Sequence, residues 1–587
     1  MLKKTKIVCT IGPASEDKEK LKEMMLNGMN VARLNFSHGS YDEHQIRIDT
    51  IKEVREELGL PIAIMLDTKG PEIRLKNFKD DMTVELNTGD KFTITTRDIL
   101  GDQTIVAVSY TGIVDDLKIG DSILIDDGLV ELKVLEKPNA TDLLCEVLNS
   151  GEIKNHKGVN LPNIKTNLPA VTEKDKEDIL FGIKNDLDFI AASFIRKAED
   201  VNIIRKILED NNGDNIDIIS KIENAEGIDN MDEIIKVSDG IMVARGDMGV
   251  EVKTEEIPLI QKEMIKKCNE VGKPVITATQ MLDSMMRNPR PTRAEVTDVA
   301  NAILDGTSAI MLSGETAAGK YPIEAVKTMH NIAVRTEESM DYRRILYDKS
   351  AHLENTTTNA ISKSTCTIAQ DLGAQAILTA SSSGNTPKAI SKFKPKETII
   401  AVTMDERVSR KLSLEWGVET AMSARYENTD ELFDGAVESA IKAGYVKEGD
   451  LVVITAGVPV GISGTTNLIK VHTIGKILLT GTGIGEESGT GKVVVGNTEN
   501  ELLPKFEQGD ILVCQSTDRD MIKFMEKASA VVVEEGGFTS HAAIVAINLN
   551  IPTIVGVADA TTILKDGDII TVDASSGQIY KGIARVK

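Results

Sequence analysis

Short apolar segments of the chain end in polar side chains that could carry out chemistry. Lys221 and Glu223 stand two residues apart at the end of one segment, and Asp247 follows the next segment. Residues two apart on a strand point to the same face of a sheet. Two carboxylates beside an ammonium group suit Mg²⁺ and a substrate rich in anionic oxygens. The sequence therefore predicts a Mg²⁺ site formed by Glu223 and Asp247, with Lys221 beside it.

A second set of oxygen donors follows two earlier segments. Asn35, Ser37, Asp67 and the carbonyl of Thr68 offer one negative charge and several neutral oxygens. That combination suits a monovalent cation better than a second Mg²⁺. Other segments end in further polar or small residues: Arg33, Ser193, Gly246 and Thr279.

A single Lys-x-Glu pair on a strand is most often a buried ion pair with a structural role. That alternative is weak for Lys221 and Glu223, because Arg33, Asp247 and Thr279 stand at the ends of neighbouring segments. Gly246 adds to this pattern, since a glycine lets the backbone N–H approach a bound carboxylate closely. The clustering favours a catalytic site.

The spacing of the apolar segments predicts the elements that position these residues. Most of the segments are followed by an amphipathic helical pattern, and strands that alternate with helices are typical of a parallel sheet. Eight such units predict a (β/α)₈ TIM barrel of the α/β class, whose active site lies at the carboxyl ends of the strands. The predicted strands are residues 6–10, 31–36, 62–67, 189–194, 216–222, 240–244, 274–279 and 308–313.

Changes in residue composition and in the pattern of predicted helices and strands along the chain predict four domains. Residues 1–71 and 170–344 form the barrel, and residues 72–169, rich in β-type residues between Gly and Asp turns, form an inserted all-β lid domain. Residues 345–474 alternate again between helix and strand and predict a doubly wound α/β domain. Residues 475–587 form an extra domain that begins with a Gly- and Thr-rich stretch, 475–492, predicted as a linker.

Composition excludes some classes of partner. The 587-residue chain carries 68 Lys and Arg against 91 Asp and Glu, a formal charge of −23. That balance argues against nucleic acid and against an anionic membrane surface, since both require a basic face. The five cysteines are scattered, which predicts reduced thiols. No signal-peptide pattern and no apolar run near ~18 residues occur, so the expected location is cytoplasmic.

The longer motifs resemble the pyruvate kinase family over residues 1–473, in order. They are residues 32–39 (ARLNFSHG), 66–74 (LDTKGPEIR), 220–224 (SKIEN), 242–251 (MVARGDMGVE), 277–282 (TATQML), 291–298 (PTRAEVTD) and 311–317 (MLSGETA). The resemblance implies transfer of phosphate from phosphoenolpyruvate to ADP, giving pyruvate and ATP in the last step of glycolysis. It also implies dependence on Mg²⁺ and K⁺, allosteric regulation and a homotetramer.

The resemblance further implies a role for each site residue. Arg33 would hold the phosphoryl group, and Lys221 would stabilise the phosphoryl group in flight and the enolate that remains. Thr279, or a water near it, would help to protonate the enolate carbon. The other implied contacts are Ser193, Gly246, Asp247 and Thr279 with the substrate, Glu223 and Asp247 with Mg²⁺, Asn35, Ser37, Asp67 and Thr68 with K⁺, and Arg74 and Lys157 with the nucleotide. Glu72 matches the residue carried by K⁺-dependent members.

Two later regions carry weaker signals. Residues 379–386 (TASSSGNT) join a strand to a helix, and the resemblance implies a site for a phosphorylated effector; a plain turn is the alternative. Its predicted contacts are Thr379, Ser381, Ser382, Ser383, Gly384 and Thr386. Residues 535–556 resemble the swivelling phosphohistidine domain of phosphoenolpyruvate-using enzymes, in which His541 is the candidate phosphohistidine. A structural or regulatory role is favoured there, because the chain has no ATP-grasp domain to act as its partner.

Three rival functions follow from the same residues. A Mg²⁺-enolate barrel enzyme, such as an aldolase or lyase, would explain the strand ends but gives no reason for the lid and the nucleotide contacts. A phosphocarrier acting through His541 would require an inactive barrel, as would a purely binding or regulatory protein. The intact set of Lys221, Glu223 and Asp247 argues against both.

Overall fold

A computed structural model describes residues 2–350, 354–426, 428–458 and 466–586. The chain forms two compact units, Met1–Asp341 with Glu406–Val418, and Tyr342–Asp405 with Glu419–Lys587. Among the described residues, no helix combines the length and the apolar character needed to cross a bilayer.

In the described part of the first unit, eight parallel strands close into a barrel. Both faces of such strands are buried, which is why each segment is a nearly continuous apolar run. All eight predicted strands are confirmed, with ends that differ by at most two residues from the prediction. The strands are Lys6–Thr10, Val31–Asn35, Ala63–Asp67, Phe189–Ala192, Asp217–Ile222, Gly240–Ala244, Val275–Ala278 and Ala309–Leu312.

Helices connect the barrel strands, and local side-chain hydrogen bonds fix the starts of three of them. Ser40 with Glu43, Thr172 with Asp175, and Thr292 with Glu295 form reciprocal capping boxes. The helices are Lys18–Leu26, Tyr41–Leu58, Glu173–Lys184, Ala198–Asp210, Ala225–Asp229, Met231–Val237, Arg245–Glu251, Ile257–Val271, Arg293–Asp305, Gly314–Ala317 and Pro322–Glu338.

The inserted segment after the third barrel strand is a β domain, as predicted. It has its own core, which includes Phe92, Ile123, Val130 and Leu143. Its strands are Ile73–Arg74, Val84–Leu86, Lys91–Thr95, Ile105–Ala107, Ser122–Ile125, Val130–Glu136, Asp142–Val147, Gly151–Ile153 and Gly158–Asn160, with a short helix at Ile113–Asp116.

A segment from much later in the chain, Glu406–Val418, belongs to the first unit and closes the amino end of the barrel. Arg410 Nε lies 2.7 Å from the buried Asp188 Oδ1, immediately before the fourth barrel strand. Leu414 is fully buried in the core formed inside the barrel, and the N–H of Gly417 donates to the carbonyl of Lys4 at 2.9 Å. We call residues 406–418 the base segment.

The second unit begins with an α/β domain that confirms the predicted helix–strand alternation. In its described part a five-stranded sheet is mainly parallel, with an antiparallel last strand. The strands are Ala376–Ala380, Thr398–Thr403, Val418–Met422, Leu451–Ala456 and Leu468–Thr473; the helices are Tyr342–Ser350, Thr357–Leu372, Asn385–Ser391 and Thr429–Lys442, while the helix Glu406–Leu412 lies in the base segment.

The tail continues as a second sheet, and the predicted linker at residues 475–492 is wrong. Ile477–Thr480 and Ser488–Val495 are strands paired in that sheet. The glycines of this stretch reflect close packing: a Cβ at Gly483 would lie 1.7 Å from the carbonyl oxygen of Ala574. The remaining strands are Thr482–Ile484, Ile511–Cys514, Ala530–Val533, Thr553–Val555, Ile569–Asp573 and Gln578–Lys581; the helices are Glu499–Leu502, Ile522–Met525, His541–Leu549 and Ala560–Ile563.

All five cysteines lie within the described ranges, where each is buried and forms no disulfide.

Candidate active site

The ammonium group of Lys221 lies at the centre of a polar cluster at the carboxyl ends of the barrel strands. Its Nζ donates to Asp67 Oδ1 at 3.1 Å and to Ser193 Oγ at 2.8 Å, and lies 2.9 Å from Glu223 Oε1. All four side chains are almost inaccessible to solvent. The barrel brings them together because they come from the ends of three different strands.

The charges of this cluster are strongly coupled. Burial alone would lower the pKa of Lys221, but the carboxylates of Asp67 and Glu223 outweigh it and raise that pKa. Lys221 therefore stays protonated at neutral pH. Burial raises the pKa of Glu223 to about 7, against the opposing effect of Lys221. The protein therefore neutralises the negative charge of Glu223 only in part, and a divalent cation would supply the missing positive charge.

Arg33 is held against the same carboxylate that holds Lys221. Its Nε donates to Asp67 Oδ2 at 2.6 Å, and its Nη1 donates to Thr10 Oγ1 at 2.8 Å. Burial acts to raise the pKa of Asp67, but Arg33 and Lys221 outweigh it and hold that pKa below its ordinary value. Asp67 thus fixes two cations side by side, the arrangement that a phosphoryl group would require.

Gly246, Asp247 and Thr279 follow the next two strands of the barrel, Gly240–Ala244 and Val275–Ala278. The N–H of Gly246 donates to Thr279 Oγ1 at 2.8 Å. Asp247 lines the central cavity and is accessible to solvent, and its carboxyl group is within hydrogen-bonding reach of Glu223. Among the described residues, no group of three or more His, Cys, Asp or Glu side chains could hold a metal ion. Glu223 and Asp247 fit Mg²⁺, which commonly binds one or two carboxylates and completes its shell with water and substrate.

The predicted monovalent-cation donors lie on two adjacent strand ends. Asn35 Oδ1 accepts from the N–H of Ser37 at 3.1 Å, and the carbonyl of Thr68 accepts from Ser193 Oγ at 2.6 Å. Asp67, the charged member of the set, is already engaged by Arg33 and Lys221. The donors are of the right chemistry for K⁺, with neutral oxygens that keep free lone pairs.

A cavity of about 310 Å³ opens between the lid and the barrel mouth. Arg74 and Lys157, the predicted nucleotide contacts, both line it. Arg74 lies 2.7 Å from Glu72 Oε2, and Lys157 lies 2.8 Å from Asp126. Both basic side chains are therefore paired with carboxylates that line the same cavity.

Sequence reasoning missed several contacts that shape the site. The N–H of Phe194 donates to Glu223 Oε2 at 2.6 Å, and Asn160 of the lid donates to Glu251 of the barrel at 3.0 Å. Arg245, to which the sequence analysis assigns no role, contacts the backbone at Thr279. Its position one residue beyond a barrel strand was the available signal.

The second unit contains the two weaker predicted sites. In the loop after Ala376–Ala380, the N–H of Gly384 donates to Ser381 Oγ at 3.0 Å, and the hydroxyls of Thr386 and Thr466 lie 2.9 Å apart. The side chain of Thr379 is buried, whereas Ser382 and Ser383 are exposed.

His541 begins the helix His541–Leu549 in the tail. Its Nδ1 lies 2.8 Å from Thr517 Oγ1. That contact leaves Nε2 as the ring nitrogen available for other chemistry.

Comparisons with known proteins agree over the whole chain. The pyruvate kinase barrel domain matches residues 2–326, the pyruvate kinase alpha/beta domain matches 359–472, and the mobile domain of PEP-utilising enzymes matches 506–577. The pyruvate kinase of Geobacillus stearothermophilus is 55% identical and that of Bacillus licheniformis 53%, each over all of both chains.

A solved structure shows that the likeness to pyruvate kinases extends to the fold. The crystal structure of a pyruvate kinase from Cryptosporidium parvum is 41% identical and superposes with a TM-score of 0.77, covering 80% of this chain and 96% of that one. With the barrel, the lid and the cluster around Lys221, these matches lead to one conclusion: the chain belongs to the pyruvate kinase family of phosphotransferases.

Proposed function

We propose that the cluster around Lys221 is the centre at which this chain transfers the phosphoryl group of phosphoenolpyruvate to ADP. The observation that carries the proposal is the placement of Lys221 and Arg33 on one carboxylate, Asp67, with Glu223 beside them. Two fixed cations at a buried strand end are suited to a dianionic phosphoryl group. The adjoining cavity, lined by Arg74 and Lys157, has room for a nucleotide.

The residues act in order along the reaction. Arg33 holds the phosphoryl group while a terminal oxygen of ADP attacks the phosphorus in line. Lys221 takes up negative charge on the phosphoryl oxygens and on the enolate oxygen as the P–O bond of phosphoenolpyruvate breaks. Glu223 and Asp247 would hold Mg²⁺, which when bound supplies further charge neutralisation.

The enolate is then protonated on carbon to give pyruvate. Thr279 follows the barrel strand Val275–Ala278, and in the proposed assignment its hydroxyl or a water beside it passes a proton from solvent to that carbon. The carbonyl of pyruvate forms as the C–H bond forms. Gly246, Ser193 and Asp247 complete the contacts with the substrate.

K⁺ is proposed at Asn35, Ser37, Asp67 and Thr68. The chemistry of the donors supports this assignment, since one carboxylate with neutral oxygens matches a monovalent charge. Glu72 stays free of the set and pairs with Arg74 at the cavity.

Pyruvate formation should require ADP, a divalent cation and K⁺. With lactate dehydrogenase and NADH as the coupled readout, omission of ADP or Mg²⁺ should abolish the signal, and tetramethylammonium in place of K⁺ should remove most of it. An aldolase or lyase would release a keto acid without ADP. ADP-independent turnover would therefore contradict the proposal.

Several wider properties are proposed on family grounds. We infer a cytoplasmic homotetramer that is regulated by a phosphorylated effector in the loop 379–386. The hydroxyls of Ser381, Ser382, Ser383 and Thr386 support the effector site, because hydroxyl and backbone donors suit phosphate oxygens.

For the tail we propose a structural or regulatory role without phosphate transfer through His541. Incubation with phosphoenolpyruvate should leave no phosphate on this histidine by intact-mass measurement under alkaline conditions, and His541→Ala should keep wild-type turnover. A mass increase of one phosphate that is lost in His541→Ala would instead establish a phosphohistidine relay.

A further inference from the structure

Thr279 has a backbone conformation that its side chain disfavours. Its φ is +67°, and the next residue, Gln280, also has a positive φ of +55°. A β-branched residue in the left-handed region is a true outlier, since Cβ approaches the backbone carbonyl and the conformation is strained. Such a conformation persists only where the surroundings hold it in place.

The guanidinium of Arg245 binds the backbone of this turn. Its Nη2 donates to the carbonyl of Thr279 at 2.7 Å, and its Nε lies 3.2 Å from the carbonyl of Ala278. One planar fork therefore binds two successive backbone carbonyls. A lysine ammonium is a compact charge on a flexible stem, so it cannot reproduce the planar geometry in which the guanidinium contacts both carbonyls and Asp298 together.

Arg245 is itself fixed by a charged partner on a separate helix. Its Nη1 lies 2.8 Å from Asp298 Oδ1 and 3.3 Å from Gln261 Oε1. Asp298 lies on the helix Arg293–Asp305, which begins at the capping box of Thr292. The proposed reaction assigns no role to the motif at residues 291–298. Its last residue, Asp298, supplies the carboxylate that anchors Arg245.

The turn that Arg245 binds also carries the hydroxyl proposed to serve the proton step. Thr279 Oγ1 accepts from the N–H of Gly246, one residue beyond Arg245. Arg245 and Gly246 thus hold the two sides of Thr279, by its carbonyl and by its hydroxyl. If the fork is lost, the strained turn can relax and the hydroxyl will leave its position.

We infer that Arg245, anchored by Asp298, is a positioning residue for the protonation step, and that it acts by holding Thr279 in its left-handed conformation. The inference rests on the proposed function of Thr279. It concerns the C–H bond of pyruvate and leaves phosphoryl transfer to Lys221 and Arg33. Loss of Arg245 should therefore slow the protonation step more than it slows phosphoryl transfer.

Hydrogen exchange into pyruvate isolates the proton step. In D₂O with Mg²⁺, K⁺ and ATP, loss of the methyl proton signal of pyruvate by NMR reports removal and return of a proton at this carbon. Arg245→Lys should slow that exchange about tenfold or more, since small misplacements of a proton-transfer group have effects of this size. The KM for phosphoenolpyruvate should change much less than kcat.

Arg205→Lys is the matched control. Arg205 also binds a backbone carbonyl, that of Val237 at 2.9 Å, and a carboxylate, that of Asp239 at 3.0 Å, but at the opposite end of the barrel. This control should exchange at the wild-type rate. An unchanged exchange rate in a folded Arg245→Lys variant would overturn the inference.

A second variant tests the same inference should Arg245→Lys fail to fold. Asp298→Asn keeps the shape of the anchor, removes its charge and alters a partly exposed side chain. It should slow exchange in the same direction, and wild-type exchange in this variant would also count against the inference. Should the wild-type enzyme itself form no pyruvate from phosphoenolpyruvate and ADP, the proposed function fails; an active wild type with an unaffected Arg245→Lys variant overturns only the positioning role.

Discussion

Lys221→Ala should lower ADP-dependent pyruvate formation by roughly 10³-fold or more, the range found when a cation that stabilises a transferring phosphoryl group is removed. The ammonium is buried, lies 3.1 Å from Asp67 and 2.9 Å from Glu223, and is held charged by both. Alanine leaves these carboxylates without that cation, so the developing charge on the phosphoryl oxygens and on the enolate goes uncompensated. The coupled assay with lactate dehydrogenase measures the loss.

Binding of phosphoenolpyruvate separates this effect from loss of the fold. Arg33 and the proposed metal ligands remain in Lys221→Ala, so equilibrium dialysis should still detect the substrate. Lys267→Ala, which removes an ion pair with Asp232 on the barrel exterior, should keep wild-type turnover. A turnover of Lys221→Ala above about 1% of wild type would remove Lys221 from the role assigned here.

Asp67→Asn should combine loss of activity with a large loss of stability. Asp67 accepts from Arg33 Nε at 2.6 Å and from Lys221 Nζ at 3.1 Å in a site closed to water. Removing one partner of a buried ion pair leaves an uncompensated charge, and the free energy of unfolding falls by about 3–5 kcal/mol. The midpoint of urea-induced unfolding should therefore shift to a lower urea concentration.

Asp98→Asn provides the same substitution at an exposed ion pair. Asp98 binds Lys76 at 3.0 Å on the surface of the lid. Such pairs contribute about 0–1 kcal/mol, so this variant should unfold close to wild type. Equal midpoints for Asp67→Asn and Asp98→Asn would show that the buried cluster contributes little to stability.

Much of the barrel could be predicted from sequence for a definite physical reason. Its strands are buried on both faces and form short apolar runs, and the polar residues that end them lie together because parallel strands share a carboxyl edge. This reasoning groups Lys221, Glu223 and Ser193, whose side chains are in contact in the structure. The grouping needed only periodicity and strand order, both of which are local properties of the chain.

The failures have equally definite causes. Gly483 and its neighbours suggested a flexible linker, because composition alone cannot distinguish a glycine that bends freely from one that makes room for a neighbouring strand. Arg245 was passed over since its partners, Thr279 and Asp298, are set by tertiary structure. The base segment was missed for the same reason, because nothing in residues 406–418 indicates which surface they cover.

Because the base segment lies late in the chain, the barrel cannot be completed until most of the chain has been synthesised. About four hundred residues must leave the ribosome before Arg410 reaches Asp188 and Leu414 fills the end of the barrel core. Until then Asp188 is a buried carboxylate without its nearest cation, and the barrel is an unfinished intermediate. A gene fragment cut at residue 341, where the continuous part of the first unit ends, should therefore yield an aggregation-prone product. Appending residues 406–418 through a short linker should restore a soluble barrel.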